Sequence, residues 1–380
     1  MDIRKRDLLG LGIGAGIVAG TTLAEAQQAP AGRGAGRGAA APAGRGAPAG
    51  RGAGRGAAPV VINSGRQPST VDLSYKPRRF NKAIELWEDG QPVFYATERP
   101  NATVDQYMRG FEMAKTYADV INYDMEHEMF DLRSLAEFMR GLADGGPTRS
   151  GHRMPAVFVT CPVLGLNEQY AMANSWVIGQ ILDLGVHGIQ LCHAQSPRAV
   201  EIMAHMACRY PFTYPGVPKT RLRGQRGASA RYANQIWGMS NPEYVRVADL
   251  WPLNPKGEIM FGIKIENTTA NANAAATLAI PGIAFAEWGP TDNNYWVNGL
   301  DGLPLDGSFD RDKSPPLIAI RRMILNLCKQ RKIVFLNATS ADPASPNYIL
   351  DQLKDGTMFG PATEEVAIMA REYTKRRMPV

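Results

Sequence analysis

The stretch Met260–Asp292, MFGIKIENTTANANAAATLAIPGIAFAEWGPTD, contains two apolar runs that each lead to a carboxylate. Glu266 follows the first run, and Asp292 comes just after the second. The Ala-rich segment between them, Thr268 to Leu278, is long enough for a helix of about three turns. A strand–helix–strand unit of this size has parallel strands, because its crossover forces that direction. We therefore expect Glu266 and Asp292 to project from the same end of a sheet.

Two carboxylates at one end of a parallel sheet suit a divalent cation, because hard cations prefer oxygen ligands. The pattern predicts Glu266 and Asp292 as ligands of Mg²⁺ or Mn²⁺, with Co²⁺ as a further candidate. The alternative is that these residues are the polar ends of two unrelated strands.

Residues 1–26 have the pattern of an export signal peptide. Arg4-Lys5-Arg6 is a basic region, Leu8 to Leu23 is an apolar core, and Ala24-Glu25-Ala26 is a small-x-small cleavage site. The core is too short for a stable spanning helix, so we expect no stable membrane insertion after signal removal. The sequence predicts an exported protein, periplasmic or secreted. Twin-arginine and general secretory routes both stay open, and an uncleaved membrane anchor is the alternative.

Apart from Gln27 and Gln28, residues 27–59 form a linker of Ala, Gly, Pro and Arg that has almost nothing to bury. Residues 1–58 hold eight of the 42 basic and three of the 36 acidic residues, which leaves 34 basic against 33 acidic beyond them. The charge of +6 therefore says little about the folded part. No aromatic residues interleave the arginines for base stacking, so we expect a solvated tether and no nucleic-acid partner.

Residues 60–380 are enough for one large domain in which strands and helices alternate. Eight strands separated by helices predict an α/β fold of the (β/α)8 barrel type, and an open doubly wound sheet is the runner-up. That alternative should show a Gly-rich phosphate turn after the first strand, and none is present. The expected strands are Val93–Ala96, Ala118–Tyr123, Ala156–Thr160, Gly188–Cys192, the two carboxylate-bearing runs, Ile333–Leu336 and Thr357–Phe359.

The four cysteines show no CxxC spacing and do not predict a zinc ribbon or a redox motif. Export permits a disulfide, and Cys161 with Cys192 is the pair to test. Buried free thiols are the favoured state.

Active sites of such barrels lie at the carboxyl ends of the strands, which makes the polar residues there candidates for chemistry. His127 has the intrinsic pKa range of a general base, and Asp124 would orient its imidazole. The alternative is that His127 is a solvated loop residue. The strand-end residues are Asp124, Glu126, His127, Thr160, Cys161, Cys192, His193, Glu266, Asp292 and Asn337.

Four motifs between about Ala118 and Asp292 resemble, in their order, those of the HpcH/HpaI aldolase/citrate lyase family. They are Asp124-Met-Glu-His127, then Gly185-Val-His-Gly-Ile-Gln-Leu-Cys-His-Ala-Gln-Ser196 with Arg209-Tyr-Pro211, then Gly224-Gln-Arg-Gly-Ala-Ser-Ala-Arg231, and finally Ile265-Glu266 with Gly289-Pro-Thr-Asp292.

The resemblance implies a TIM barrel of the phosphoenolpyruvate/pyruvate-domain type that is typically a homo-oligomer. It implies a class II, metal-dependent aldolase, a carbon–carbon lyase that cleaves a small 4-hydroxy-2-oxo acid through a metal-stabilised enolate. It assigns catalysis to His127 and Asp124 and the metal to Glu266 and Asp292. Contacts with the substrate would come from Thr160, Cys161, His193, Gly289, Pro290 and Thr291.

Two residues depart from the family pattern. Cys161 stands directly before Pro162, where the family has an Arg that stabilises the enolate oxygen. Lys264 replaces a Gln two residues before the metal-binding Glu, and we expect its ammonium to supply the missing positive charge.

Other functional classes stay open. An exported, non-catalytic protein that binds small oxo or carboxylic acids and keeps the metal site is the main competitor, because the Arg is absent. A metal-dependent hydrolase usually needs more His ligands, and the chain has five His with no HxH pair.

Overall fold

The computed structural model describes residues 63–339 and 347–380. The expected signal peptide, the linker and the possible membrane anchor lie outside these residues. Among the helices that the structure describes, none combines the length and apolarity needed to cross a bilayer.

Eight parallel strands close into a ring, as the sequence predicts. The hydrogen-bonded order is β1-β2-β3-β4-β6-β7-β8-β9, with β9 paired to β1 and β4 paired to β6. The two-residue strand β5 pairs with β6. The fold is therefore a (β/α)8 TIM barrel. The strands are β1 Val93–Glu98, β2 Val120–Asp124, β3 Ala156–Leu164, β4 Gly188–Cys192, β5 Leu250–Trp251, β6 Ile259–Lys264, β7 Phe285–Glu287, β8 Val334–Leu336 and β9 Phe359–Pro361.

Helices surround the ring, and side-chain caps fix where several of them begin. Asn167 caps α4 and Asp131 caps α3 by accepting hydrogen bonds from backbone N–H groups of the first turn. The helices are α1 Lys82–Glu88, α2 Gln106–Met113, α3 Leu132–Gly145, α4 Glu168–Leu182, α5 Pro197–Glu201, α6 Arg231–Trp237, α7 Asn241–Val247, α8 Thr268–Thr277, α9 Pro290–Asn298, α10 Pro315–Arg331, α11 Asn347–Asp355 and α12 Glu364–Tyr373.

The interior of the barrel is filled by an aromatic layer. Tyr95, Phe158, Phe285 and Phe359 contact one another edge to face, with ring centroids 5.1–5.8 Å apart. Trp87 of α1 packs against this layer and closes the amino-terminal end of the barrel. Water is thus excluded from the middle of the barrel, and the polar interior residues lie towards the carboxyl ends of the strands.

Three local features differ from the sequence-based expectation. With Ser196 as N-cap and Pro197 at the first helical position, the sequence predicts one helix over Pro197–Arg209, and the structure has α5 followed by a π-helical segment, Ile202–Ala207. The Asn-, Trp- and Gly-rich stretch from Trp288 to Asp312 predicts a loop, but α9 begins at Pro290 and has Asp292 in its first turn. Helices α1 and α6 were also not predicted, because at seven residues each they are too short to show a clear amphipathic period.

Candidate metal and acid–base site

Glu266 follows β6 at the carboxyl end of the barrel and is fully buried. Its Oε1 accepts a hydrogen bond from the backbone N–H of His193 at 2.8 Å. Its Oε2 lies 2.9 Å from Lys264 Nζ as an ion pair, yet accepts no well-directed hydrogen bond from the described residues. Burial raises the pKa of Glu266. A buried carboxylate oxygen without a hydrogen bond is costly unless a cation lies beside it, and here that cation is the Lys264 ammonium.

Gly289 gives the Glu266 side chain its space. A Cβ at position 289 would lie 2.2 Å from Glu266 Cβ and 2.9 Å from its Oε2, and the backbone has a left-handed φ of +53°. Any other residue here would push the carboxylate out of place. Gly289 is therefore required by the geometry of Glu266, which gives this predicted substrate-binding position a structural role.

Lys264 brings two carboxylates together in the barrel mouth. Its Nζ lies 2.7 Å from Glu126 Oε2 and 2.9 Å from Glu266 Oε2. Glu287 is its register partner on β7. Burial disfavours the ammonium, but the neighbouring acidic groups outweigh burial and hold the pKa of Lys264 well above its ordinary value. One buried ammonium thus faces three carboxyl groups.

A polar network crosses the interior beside Lys264. Gln190 Nε2 donates to Glu287 Oε2 at 2.6 Å, and Gln190 Oε1 lies 2.9 Å from Thr160 Oγ1. The Thr160 hydroxyl also lies 2.7 Å from Asn122 Oδ1, so it donates to one of these two oxygens at a time. Burial raises the pKa of Glu287 to about 7. Thr160, predicted to contact substrate, is part of this interior network.

His127 and Asp124 form the predicted pair. His127 Nδ1 lies 3.0 Å from Asp124 Oδ2, and Asp124 is buried whereas the imidazole is about half exposed. The hydrogen bond to Asp124 raises the pKa of His127. Its Nε2 lies 3.6 Å from Glu126 Oε2, the same oxygen that receives Lys264. The pair therefore presents a free imidazole nitrogen next to the Glu126–Lys264–Glu266 cluster.

Asp292 reaches the site from the first turn of α9 and is half-buried. Its charge is among the causes that raise the pKa of Glu266, which places it as an electrostatic neighbour of that carboxylate. Pro290 is the first residue of α9, and Thr291 Oγ1 accepts a hydrogen bond from Arg311 at 2.6 Å. It remains a prediction that Asp292 is a metal ligand and that Pro290 and Thr291 contact the substrate.

Among the described residues, Glu126, His193 and Glu266 form a group whose potential ligand atoms all lie within 4.8 Å of one another. They come from three different strand ends. Two carboxylates and an imidazole are donor types that suit a divalent cation, and the Lys264 ammonium now pairs with both carboxylates at 2.7 and 2.9 Å. The residues present therefore fit a metal ion.

Solved structures of similar shape share this architecture at low sequence identity. An HpcH/HpaI aldolase from Desulfitobacterium hafniense DCB-2 has a TM-score of 0.52 and 18% identity over 77% of this chain and 93% of that one. An HpcH/HpaI aldolase/citrate lyase family protein from Burkholderia cenocepacia J2315 has a TM-score of 0.53 and 18% identity over 77% and 96%. Macrophomate synthase has a TM-score of 0.51 and 16% identity over 80% and 91%.

The chain has the fold of HpcH/HpaI aldolases. No protein-family model and no curated protein matches the sequence. At these identities the likeness establishes the fold alone.

Within the HpcH/HpaI fold, Cys161 does not enter the barrel interior. It is fully buried in the core layer between strands and helices, on the opposite face of β3 from Thr160. All four cysteines are free thiols, as favoured from the sequence. Cys192 Sγ contacts the backbone oxygen of Cys161 at 3.3 Å. The side chain of Cys161 therefore points away from the barrel interior, where we expected it to contact the substrate.

The two arginine motifs that resemble the family are structural in this HpcH/HpaI fold. Arg209 makes a two-pronged ion pair with buried Asp249 at 2.6 and 3.0 Å. Arg226 is buried and donates to Asp183 Oδ1 at 2.8 Å. Both pairs fix the chain between β4 and β5.

Sequence reasoning gave no role to two residues of the site. Glu287 and Gln190 are polar residues within apolar strands that point into the barrel. Glu287 in the apolar run AFAEW could have indicated a role in the site, because a buried carboxyl group needs a partner.

Proposed function

We propose that this protein is a divalent-metal-dependent carbon–carbon lyase that cleaves a small 4-hydroxy-2-oxo acid. The observation that carries the proposal is the buried cluster of Glu266, Glu126 and Lys264 next to an Asp–His pair in the mouth of an HpcH/HpaI-type barrel. Glu266 and Asp292 would hold the cation. When bound, it would act as a Lewis acid that stabilises negative charge on the oxo acid.

The acid–base work falls to His127. Its Nδ1–H donates to Asp124, which leaves Nε2 free to take the proton of the substrate's 4-hydroxyl group. As the C3–C4 bond breaks, its electron pair passes to the 2-oxo fragment and C4 becomes an aldehyde. The same nitrogen then returns the proton to C3, so atoms and electrons balance.

Lys264 offers a fixed positive charge beside this fragment. Its ammonium is buried and held by Glu126 and Glu266. A buried charge of this kind stabilises developing negative charge far better than an exposed one, because water does not screen it. It would take the place of the Arg that Cys161 replaces.

The main test is the metal-dependent release of pyruvate or a related 2-oxo acid from 4-hydroxy-2-oxo acids. Glu266→Gln should raise the activation barrier by several kcal/mol and so lower turnover by a factor on the order of 10³. Glu258→Gln is the matched control, because Glu258 is also buried but precedes β6 at the amino-terminal end of the barrel. Equal losses in the two variants would contradict the proposal.

A second experiment concerns the base. His127→Asn should lower kcat by about 10²–10⁴-fold and leave substrate binding almost unchanged. A wild-type turnover in this variant would remove His127 from the reaction.

The second candidate is a non-catalytic binding protein for small oxo or carboxylic acids. It is favoured by Lys264, whose ammonium pairs with both Glu126 and Glu266 at the place where a cation would be held. Binding of pyruvate or oxalate with Mg²⁺ or Mn²⁺ but no turnover of any 4-hydroxy-2-oxo acid would decide for it.

Export and homo-oligomeric assembly belong to the proposal as well. The basic residues Arg4-Lys5-Arg6, the apolar core and the Ala24-Glu25-Ala26 site support export. Cell fractionation of the full chain would test it, and a product that keeps residues 1–26 in the cytoplasm would contradict it.

A further inference from the structure

A cavity of about 490 Å³ lies between α10 and α11, in the layer of helices that surrounds the barrel. Its volume is in the range of sites that hold small molecules. Leu317, Ile318 and Leu325 of α10 form an apolar wall. Trp288 and Tyr348 add aromatic side chains to the lining. No residue of the metal and acid–base cluster lines this cavity, so it can hold an organic molecule apart from the barrel mouth.

The charged side chains around the cavity do not balance. Among the described residues, four cationic and two anionic side chains line it: Arg311, Arg321, Arg322, Lys329, Asp312 and Asp355. Arg321 joins the two helices, because its Nη1 lies 3.5 Å from Asp355 Oδ2 and its Nη2 donates to Gln352 Oε1. That ion pair is neutral as a whole, and it leaves three cations against one carboxylate. The cavity therefore has an excess of positive charge.

Two of the remaining cations project from one face of α10. Arg322 and Lys329 are seven residues apart, which is two helical turns and about 10 Å along the axis. Two side chains of this length can close around one ligand over that span. The stem of Lys329 also crosses to the end of α11, where a Cβ at Gly356 would lie 2.8 Å from its Cε. In the part of the chain that the structure describes, neither Arg322 nor Lys329 forms an ion pair.

The third cation is held in place at the edge of the cavity. Arg311 Nη1 donates a hydrogen bond to Thr291 Oγ1 at 2.6 Å. A guanidinium that is already positioned loses less entropy when it binds an anion. Guanidinium groups bind carboxylates and phosphates through two parallel hydrogen bonds. The cations therefore suit a carboxylate or phosphate group, and the apolar wall suits an organic body.

We propose that this cavity binds a small organic anion, with its carboxylate or phosphate group held by Arg311, Arg322 and Lys329 and its body packed on the apolar wall of α10. The site is separate from the proposed lyase activity, because the two share no residue. Charge sets its selectivity, since a neutral molecule of the same shape would leave the three cations without a partner.

The test is calorimetric titration of the full chain with phenyl phosphate and with benzoate, which carry the two anionic groups on the same ring. Benzyl alcohol is the neutral analogue. We expect wild type to bind at least one of the two anions, and the double variant Arg322→Gln/Lys329→Gln to bind it at least about tenfold more weakly. Arg331→Gln/Lys332→Gln is the matched control, because it removes the same charge from exposed positions at the end of the same helix, outside the cavity.

A further variant separates occupancy of the cavity from charge. Asn326 is an exposed residue of the lining, and Asn326→Trp should fill the space and abolish binding while every cation stays in place. Equal binding by wild type and Arg322→Gln/Lys329→Gln would overturn the inference, as would benzyl alcohol that binds as tightly as the anions. Wild type that binds neither anion at concentrations on the order of 10 mM would overturn it too. The proposed function stands or falls separately, by turnover of 4-hydroxy-2-oxo acids.

Discussion

The two ends of the barrel each bury a cluster of charges, and the two clusters have opposite imbalances. At the amino-terminal end, before β2, one carboxylate, Asp119, receives three cations, Lys82, Arg371 and Arg376, at 3.3, 3.2 and 2.6 Å. At the carboxyl end, one ammonium, Lys264, is surrounded by Glu126, Glu266 and Glu287. The first cluster has excess positive charge and the second excess negative charge.

The pKa shifts of the central carboxyl groups separate the two clusters further. Both oxygens of Asp119 accept from Arg376, at 2.9 and 2.6 Å, and the surrounding cations hold its pKa well below the ordinary value despite burial. Glu266 by contrast keeps an oxygen without a hydrogen bond from the described residues, and its pKa is raised. Arg371 Nε in the amino-terminal cluster is also buried without a hydrogen bond from the described residues, so the two ends differ in the balance of their charges and in the direction of the pKa shifts.

The largest expected effect comes from removing the central anion of the amino-terminal cluster. Asp119→Asn leaves three buried cations without their carboxylate and should lower the free energy of unfolding by about 3–5 kcal/mol. Urea denaturation measures it. Asp72→Asn is the control, because Asp72 lies at the surface, where water screens its ion pair with Arg377 at 3.2 Å, and it should change the free energy of unfolding far less. A loss below 1 kcal/mol in Asp119→Asn would show that this cluster is not what holds this end of the barrel.

The next effect compares the two buried lysines. Lys264→Met leaves the carboxyl groups unmatched and should cost about 3 kcal/mol in metal-free protein. Lys82→Met removes one of three cations from Asp119, and burial already lowers the pKa of Lys82 to about 8, so its cost should stay below about 1.5 kcal/mol. Added Co²⁺ should restore Lys264→Met and leave Lys82→Met unchanged. Equal costs would mean that the two clusters do not differ in kind.

The two buried lysines can also be compared by their effect on turnover, which is expected to be smaller. Lys264→Ala should lower the rate of retro-aldol cleavage by about 10²–10³-fold, since a buried charge beside the developing anion is lost. Lys82→Ala, at the opposite end of the barrel, should change turnover by less than about twofold in folded protein. Unchanged turnover in Lys264→Ala would remove Lys264 from the mechanism.

The sequence predicts the fold of this protein better than its site. Alternating strands and helices predict the barrel, and the DMEH spacing predicts the contact of His127 with Asp124, because both depend on local sequence. The pairing of Lys264 with Glu126 joins residues 138 positions apart, and closure of the ring alone brings them together. The helix start at Gly289-Pro290 was readable, because Pro favours the first helical position.

The outward direction of Cys161 is a different kind of miss. Alternation along β3 means that neighbouring residues point to opposite faces, so Thr160 and Cys161 cannot both enter the interior. The sequence alone does not say which of them does, because both are small and either suits a barrel interior. Lys264, from a different strand, is the buried charged side chain that we propose for this role.

The smallest expected effect is on the pH dependence of the free energy of unfolding, and it concerns the amino-terminal end of the barrel. Glu85 of α1 at the amino-terminal end accepts hydrogen bonds from His152 at 3.1 Å, from Tyr75 and from the backbone N–H groups of Arg78 and Arg79. Burial opposes the carboxylate, but these bonds outweigh it and lower its pKa from 4.5 to about 2. The stability that Glu85 contributes is therefore complete above pH 4.5 and is lost as the pH falls towards 2.

Glu85→Gln should accordingly have a flatter dependence of unfolding free energy on pH between 4.5 and 2, with a difference on the order of 1–3 kcal/mol across that window. Glu88→Gln, exposed on the same helix, is the control and should follow wild type. Chemical denaturation at a series of pH values measures both slopes. If Glu85→Gln keeps the wild-type slope, acid sensitivity arises elsewhere, and the amino-terminal end is not where protonation first weakens the barrel.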